Sequence, residues 1–356
     1  MPVIEIKSKI RDYKAIFGGV KDHLKKLESL SNKNIYIVDC NVWRIYRNIF
    51  AGIEPKKIIV LAVAEDKKNL IAVTRLYDRV IELSAKRNTT VVSIGGGITQ
   101  DITGFFASTL YRGIKWIFIP TTFLAQVDSC IGSKTSLNYK SFKNLIGTFY
   151  PPQELLIDVN FIKTQKKEDF YSGLGEMVKL HIIGGKRYFD FMVKELGTLC
   201  ADKGEKLNKA LVNSLLIKKS FIEDDEFDGG RRNLLNYGHC FGHALESACD
   251  FVIPHGQAVT IGMIFANIVS RNRGLLSQKT HDFILQRLLF PVVTKKPTKD
   301  FLDAKKIVAA MKKDKKRTSQ DLPLVVFQDG FKLARLDDLK ENEVKKALCE
   351  LEGLFL

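Results

Sequence analysis

Apolar residues in the first part of the chain fall in short runs separated by amphipathic stretches. Asn34 to Val38 is a strand that ends in Asp39-Cys40-Asn41, a turn. Lys57 to Val63, Thr89 to Ile94, Trp116 to Pro120 and Leu155 to Asp158 read as further strands. Between them, Lys67 to Ala85 carries Leu70, Val73, Leu76, Val80, Ile81 and Leu83 at helical spacing. Strands alternating with helices predict βαβ units and a parallel sheet. Past residue 160 strand signals become rare. Phe170 to Ile183, Lys206 to Ile222, Asn236 to Cys249 and Ala258 to Arg273 suit helices, with one late strand at Leu324 to Phe327. The pattern predicts an N-terminal α/β domain over 1–160 and a mostly helical C-terminal domain over 161–356. No internal repeat or low-complexity tract interrupts either.

Composition narrows the class. At 356 residues and 45% hydrophobic, the chain is globular and long enough for two cores. No apolar run reaches the length of a bilayer span, so a membrane protein is not expected. The N-terminus has no signal-peptide pattern, which points to the cytoplasm. Six scattered cysteines without a CxxC pair read as reduced thiols. The net charge of +16 suits nucleic acid, an acidic surface or small anions. Its densest run, Lys312-Lys313-Asp314-Lys315-Lys316-Arg317, has no interleaved aromatics. No nucleic-acid-binding signature accompanies it, so small anions remain the expected partners.

Chemistry concentrates between Arg232 and Gly256, where three of the six histidines fall. His239 and His243 are four apart and share a helix face; His255 follows in His-Gly. Arg232 and Asn236 precede His239 by seven and three residues, also helical spacings. A divalent metal beside an anion-binding group wants this arrangement. Glu176 and Lys179 lie three apart in an apolar helix, either as an ion pair or as a metal ligand and a substrate contact. Gly95-Gly96-Gly97 leaves a strand and opens a helix, as a pyrophosphate turn or simply a tight connection. Asp39 is a ribose acceptor or an N-cap. Gln126 to Thr135 and Lys143 to Gly147 read as a polar loop in which Lys134, Lys143 and Asn144 could cradle a phosphate. Walker A spacing is absent, which excludes a P-loop ATPase.

Taken in order, these blocks resemble the 3-dehydroquinate synthase family, the sugar-phosphate cyclases. The resemblance runs from about Asp39 to Arg317. It rests on the triple-Gly turn, Tyr111-Arg112-Gly113, Pro120-Thr121-Thr122, Val127-Asp128-Ser129, Lys143-Asn144-Leu145-Ile146-Gly147, Gly175-Glu176-Met177-Val178-Lys179, Arg232 to His243, and His255-Gly256. It implies a Rossmann-like domain, a helical domain and an active site in the cleft between them. It also implies NAD, one divalent metal (zinc or cobalt), a phosphorylated sugar acid as substrate and a homodimer.

Residue by residue, the resemblance implies Glu176, His239 and His255 as metal ligands, with His243 a neighbouring substrate contact. Asp39, Glu65, Lys68, Gly95, Gly96, Gly97, Asp101, Thr121 and Thr122 fall where the family binds NAD, together with Lys134 and Lys143. Lys134, Asn144, Asn236, His243 and Lys315 or Lys316 fall at the substrate phosphate, joined by Arg112 of the partner subunit. Asp128, Lys179, Lys218 and Arg232 fall among contacts to hydroxyls and carboxylate, so the catalytic group is Asp128, Lys179, Lys218, Arg232, Asn236 and His243.

The implied reaction converts 3-deoxy-arabino-heptulosonate 7-phosphate to 3-dehydroquinate and phosphate, with NAD reduced and reoxidised in each cycle. Four positions depart from the family pattern: Gln100 and Ser133 replace glycines, Asp228 replaces a glutamate, and Gln257 replaces a glutamate after His-Gly. A cyclase acting on sedoheptulose 7-phosphate is the alternative, and a metal-dependent NAD alcohol or polyol dehydrogenase is a more distant one. Lys218, Arg232 and Asn236 favour a substrate with a carboxylate.

Overall fold

The computed structural model describes residues 2–31, 33–140, 142–201, 204–312 and 322–355. Contacts divide the chain into two compact units, the first comprising Met1–Gln165 with Lys218–Phe227, the second Lys166–Ile217 with Asp228–Leu356. The break falls after Gln165, and a stretch that the sequence assigns to the helical half, Lys218–Phe227, groups with the α/β half. One tie is Glu226, buried at 2% exposure. Its carboxylate accepts from Ser8 Oγ at 2.7 Å, Lys9 N at 2.6 Å and Ser133 Oγ at 2.8 Å.

The first unit runs β1 (Val3–Ile6), β2 (Tyr13–Phe17), α1 (Val20–Leu30), β3 (Asn34–Asp39), α2 (Cys40–Tyr46), β4 (Ile58–Leu61), α3 (Leu70–Glu82), β5 (Thr90–Gly95), α4 (Gly97–Thr109), β6 (Lys115–Pro120), β7 (Lys134–Tyr139), β8 (Phe142–Phe149) and β9 (Glu154–Ile157). Seven strands form one sheet in the order β1-β2-β9-β6-β5-β3-β4, parallel except for β1 with β2. The central strands β3, β5 and β6 are buried along nearly their whole length, which is why they read as continuous apolar runs. Helix α3 is shorter than its periodicity predicts. Asn69 caps it by accepting from the backbone of Ile71 and Ala72, and Ser84, at φ +54°, ends it. The stretch expected to be a polar loop is different. Ala125–Ser129 forms a π-helical turn, and β7 and β8 make an antiparallel hairpin.

The second unit holds α5 (Lys167–Ile183), α6 (Lys186–Ala201), α7 (Glu205–Asp224, passing to the first unit at Lys218), α8 (His239–Ala248), α9 (His255–Asn272), α10 (Gln278–Ile284), α11 (Ala304–Lys312), β10 (Leu322–Gln328), β11 (Lys332–Leu339) and α12 (Glu341–Phe355). Helix α9 is buried on every side from Gly256 to Ser270, and α5 from Ser172 to Ile183, so these two form the centre. The predicted helix from Asn236 is broken. Arg231–Asn236 is a 3-10 turn and Gly238, at φ +81°, starts a new helix at His239. Arg232 and Asn236 therefore do not share a helix with His239, and their spacing to it carries no geometric meaning. Among the described residues no helix is long and apolar enough to cross a membrane.

One buried histidine of this core makes stability depend on pH. His181 is fully buried, donates from Nδ1 to Met177 O at 2.8 Å and stacks on Phe191. Burial holds its ring down at about 4, against the ordinary 6.5, with the Met177 carbonyl opposing weakly. Its contribution is present in full above the unfolded value. As pH falls from 6.5 to about 4 the unfolded chain gains a proton that the native one refuses. Native stability should drop by about 3 kcal/mol across that window from this group alone. Urea unfolding at both ends of the window should show a shallower fall in His181→Phe; an unchanged fall would refute the assignment.

Candidate active site

In the first unit the sheet's topology selects a position. The chain leaves β3 for β4 on one side and returns to β5 on the other, so β3 and β5 flank a switch point. Ligands of open α/β sheets sit beyond the carboxyl ends of the strands at such a point. Asp39 ends β3, and Gly95-Gly96-Gly97 leads from β5 into the N-terminus of α4. Gly95 tolerates no side chain, since a Cβ there would lie 2.4 Å from Thr99 Oγ1. Thr121 N donates to Gly95 O at 2.9 Å and fixes the turn from the neighbouring strand. Asp39 caps α2 by accepting from Asn41 N at 2.7 Å, the N-cap role that its sequence position also allowed.

Beside this turn lies a polar network that the loop reading missed. Lys68, 5% exposed, pairs with Asp101 Oδ2 at 2.5 Å and donates to Asn144 Oδ1 at 2.6 Å. Ser136 Oγ lies 2.9 Å from an acceptor oxygen of each of the same two residues and has one proton to share between them. Asn138 joins Glu65 at 2.8 Å to the backbone of Asn144 at 2.9 Å. Burial raises the Asp101 carboxyl above the usual range, while Lys68 and Ser136 pull against it. Ser136 and Asn138 alternate with buried Thr135 and Leu137, the strand signature that would have exposed them. Asn144, expected at the substrate phosphate, is thus placed among Lys68 and Asp101, which were expected at the nucleotide. Lys134 and Asn144 are exposed and Lys143 is half-buried.

On the same unit, the π-helical turn presents Asp128. Lys218 Nζ contacts its Oδ1 at 2.9 Å and its backbone oxygen at 2.5 Å. The Lys218 side chain is only 8% exposed, so the excursion of 218–227 is what delivers this ammonium. Gln100 holds the turn from α4. Its Nε2 donates to Ser129 O at 2.7 Å, and Ser129 Oγ donates back to Oε1 at 2.7 Å. Arg112 is exposed and, like Tyr111, left-handed, at φ +63° and +51°. Tyr111 Oη anchors this strained corner on Ala85 O at 3.0 Å.

In the second unit three helices converge. Glu176 on α5 is completely buried, and its Oε2 pairs with Lys179 Nζ at 2.5 Å. Its Oε1 has no hydrogen-bond donor and faces His239 Nε2 at 3.4 Å and His255 Nε2 at 3.5 Å. Ligand atoms about 2.0–2.1 Å from a tetrahedral zinc stand roughly 3.3 Å from one another. Oε1 therefore stands from each Nε2 at the spacing of two ligands on one ion, and the orphaned oxygen has no hydrogen-bond donor to justify its burial. His243 shares the cluster, its ring 5.4 Å from that of His239 and 5.6 Å from that of His255; ligand atoms of the three imidazoles lie within 4.8 Å of one another.

Both candidate imidazoles have their Nε2 presented by a second partner. His239 Nδ1 is 3.3 Å from Tyr237 O, and His255 Nδ1 is 3.1 Å from Glu246 Oε2. Burial first, then the charges of Lys179, His243 and His255, hold His239 well below its ordinary value, which keeps it neutral. Burial would lower His255 too, but the hydrogen bond and charge of Glu246 and the charge of Glu176 outweigh it and raise the ring. Glu246 has no place in the sequence reading, although it follows His239 by seven positions on one helix face.

Arg232 is buried, and Asn236 lines a small crevice with Cys240, Leu324 and Arg335. Lys312 pairs with Glu341. Lys315 and Lys316 lie outside the described residues. All four departures from the family pattern have internal partners. Gln100 clamps Ser129, and Ser133, at φ +64°, bonds Glu226. Gln257, fully buried, donates to Tyr171 O and Val292 O and accepts from Thr294 N at 2.8 Å. A glutamate at 257 would aim a carboxylate at those two carbonyls, so the amide is the better side chain for this packing. The fourth, Asp228, has φ +62° and accepts from Asn233 Nδ2 on its backbone oxygen at 3.1 Å.

The chain is similar to known proteins along most of its length. Family models described as 3-dehydroquinate synthase N-terminal and C-terminal match residues 58–172 and 173–317. A 3-dehydroquinate synthase of Streptococcus equi subsp. equi (strain 4047) is 32% identical over 332 residues, covering 91% of each chain. A crystal structure of 2-deoxy-scyllo-inosose synthase complexed with carbaglucose-6-phosphate, NAD+ and Co2+ superposes with a TM-score of 0.86 at 26% identity, over 98% of this chain and 100% of that one. A 2-epi-5-epi-valiolone synthase from Streptomyces hygroscopicus subsp. jinggangensis 5008, with NAD+ and Zn2+ bound, shares the fold at a TM-score of 0.87 and 22% identity, over 98% and 99% of the two chains. With both models matched in sequence order and a relative of this identity along most of its length, the chain belongs to the 3-dehydroquinate synthase family.

Proposed function

We propose that this protein is an NAD- and divalent-metal-dependent 3-dehydroquinate synthase of the shikimate pathway, converting 3-deoxy-arabino-heptulosonate 7-phosphate to 3-dehydroquinate and phosphate. The observation that carries the reading is the buried, donor-free Glu176 Oε1 facing the Nε2 atoms of His239 and His255. These three residues would hold the metal. Gly95 to Gly97, Lys68, Asp101, Glu65, Thr121, Thr122 and Asp39 would hold NAD. When bound, NAD would supply reversible hydride exchange with a substrate alcohol, and the metal would supply Lewis-acid polarisation of that hydroxyl.

The remaining work belongs to side chains. Asp128 holds the Lys218 ammonium in a single position, ready for a substrate hydroxyl or carboxylate. Lys179 and Arg232, both buried, supply cationic charge where an anionic sugar acid needs it. Internal partners for Gln100, Ser133 and Gln257 support the synthase over a relative with another substrate, because these departures are absorbed by packing. In this reading the enzyme is a cytoplasmic homodimer in which the strained, exposed Arg112 serves the partner's phosphate pocket. None of the six cysteines is in a disulfide, which suits a reducing compartment.

The test offers the purified protein, with NAD and Co2+, the heptulosonate phosphate and sedoheptulose 7-phosphate side by side. Phosphate release from the first alone, with no net NADH, is expected. Release from sedoheptulose 7-phosphate instead would keep the family and overturn the substrate; accumulating NADH would indicate a dehydrogenase.

A further inference from the structure

We propose that Glu246 is the positioning residue of the metal centre: it holds His255 so that Nε2, and not Nδ1, is the ligand atom. The inference rests on the metal-centre reading above and adds a residue to it. Glu246 lies on α8 with His239 and His243, and is 8% exposed. Its Oε2 meets His255 Nδ1 at 3.1 Å, while the opposite ring nitrogen faces Glu176 Oε1 at 3.5 Å. A carboxylate at Nδ1 keeps the proton there and leaves the Nε2 lone pair for a cation.

Glu246 also secures the connection that brings His255 back to α8. Its backbone oxygen accepts from Phe251 N at 2.9 Å. That connection is strained, with Asp250 at φ +48° and Phe251 at φ +60°. His255 follows it as the first residue of α9, where no preceding helical turn fixes the ring. The carboxylate supplies the restraint from the neighbouring helix. The two candidate imidazoles thus differ in kind: a neutral carbonyl stands behind His239, and an anion behind His255. Anionic support raises the basicity of the ligand nitrogen, so His255 becomes the stronger donor of the pair.

The test is Co2+ affinity, measured by chelator competition on the full-length protein, with the visible cobalt spectrum as a second signal. Glu246→Gln keeps the volume and an acceptor oxygen and removes the charge. It should bind Co2+ about 10- to 100-fold more weakly than the wild type. Glu246→Asp keeps the charge and should lie between the two. Wild-type affinity and spectrum in Glu246→Gln would overturn the inference while leaving the metal centre standing; a wild type that binds no Co2+ would overturn both. A measurement on the unaltered chain removes any dependence on a variant's folding. In zinc-loaded protein, 15N NMR should find the His255 proton on Nδ1 and zinc on Nε2. The reverse arrangement would overturn the proposal.

Discussion

Glu176→Ala should bind neither zinc nor cobalt and should lose turnover by on the order of 10³-fold, the scale on which a lost electrostatic group at a reacting centre is felt. The side chain is fully buried and does two jobs with its two oxygens. Oε2 neutralises Lys179, itself only 2% exposed, and Oε1 faces two imidazoles. Deleting it leaves a buried ammonium without its anion, a loss of about 3–5 kcal/mol when one partner of such a pair is removed. Lower activity alone would therefore be ambiguous between a lost ligand and a damaged core. Lys179→Met separates them. It removes the cation and leaves Oε1 in place, so it should retain one metal per chain even where turnover falls. Wild-type metal affinity in Glu176→Ala, or equal loss of metal in both variants, would refute the ligand role.

The sequence carried this site unevenly. Strands β3, β5, β6 and β9 were legible because each is a short apolar run between turn residues. The turn Gly95 to Gly97 was legible because a switch point needs a backbone without side chains. Hairpin β7–β8 was not: Lys134 to Tyr139 alternates over only six residues, and lysine, serine and asparagine make up half of them, a composition shared with loops. Missing it hid the network of Ser136 and Asn138 with Asp101, Glu65 and Asn144.

Segment 218–227 was misassigned for a different reason. The periodicity of α7 is continuous through Ile217 and Lys218, and helical periodicity reports a buried face without saying which core buries it. The break at Gly238 was invisible for a related cause. A glycine inside an apolar helical pattern is compatible with both a helix and a left-handed start, and only the approach to Val259 O, 2.6 Å from a Cβ placed there, decides between them. Among the ligand candidates, i,i+4 spacing made His239 and His243 equivalent. What distinguishes them geometrically is Glu176, brought to His239 and His255 by long-range packing that no local pattern encodes.

That packing is where the second large effect is expected. Gly256→Ala should separate α5 from α9 and open the metal centre, although it adds only one methyl group. A Cβ at 256 would lie 1.8 Å from Ser172 O and 2.6 Å from Ser172 C, and backbone on a buried helix has nowhere to retreat. Gly175 meets the same seam from the other side, its Cβ position 2.4 Å from Gly256 O. Ser172 Oγ accepts from Gly256 N at 2.9 Å, so the contact that closes the seam also satisfies the first turn of α9. Overpacking of this kind costs about 1–3 kcal/mol. The functional cost should exceed that, because His255 is the adjacent residue and Glu176 lies one turn along α5 from Ser172. A displacement of about 1 Å at a reacting centre is worth roughly 10²-fold in rate. Gly197→Ala is the contrast: a Cβ there meets nothing within 4 Å, so the exchange should stabilise α6 by about 0.5–1 kcal/mol. Chemical unfolding and Co2+ affinity, measured on both variants, should move in opposite directions for stability and differ only at Gly256 for metal. Wild-type metal affinity and turnover in Gly256→Ala would mean that close approach of α5 and α9 does not set the distance from Glu176 to His255.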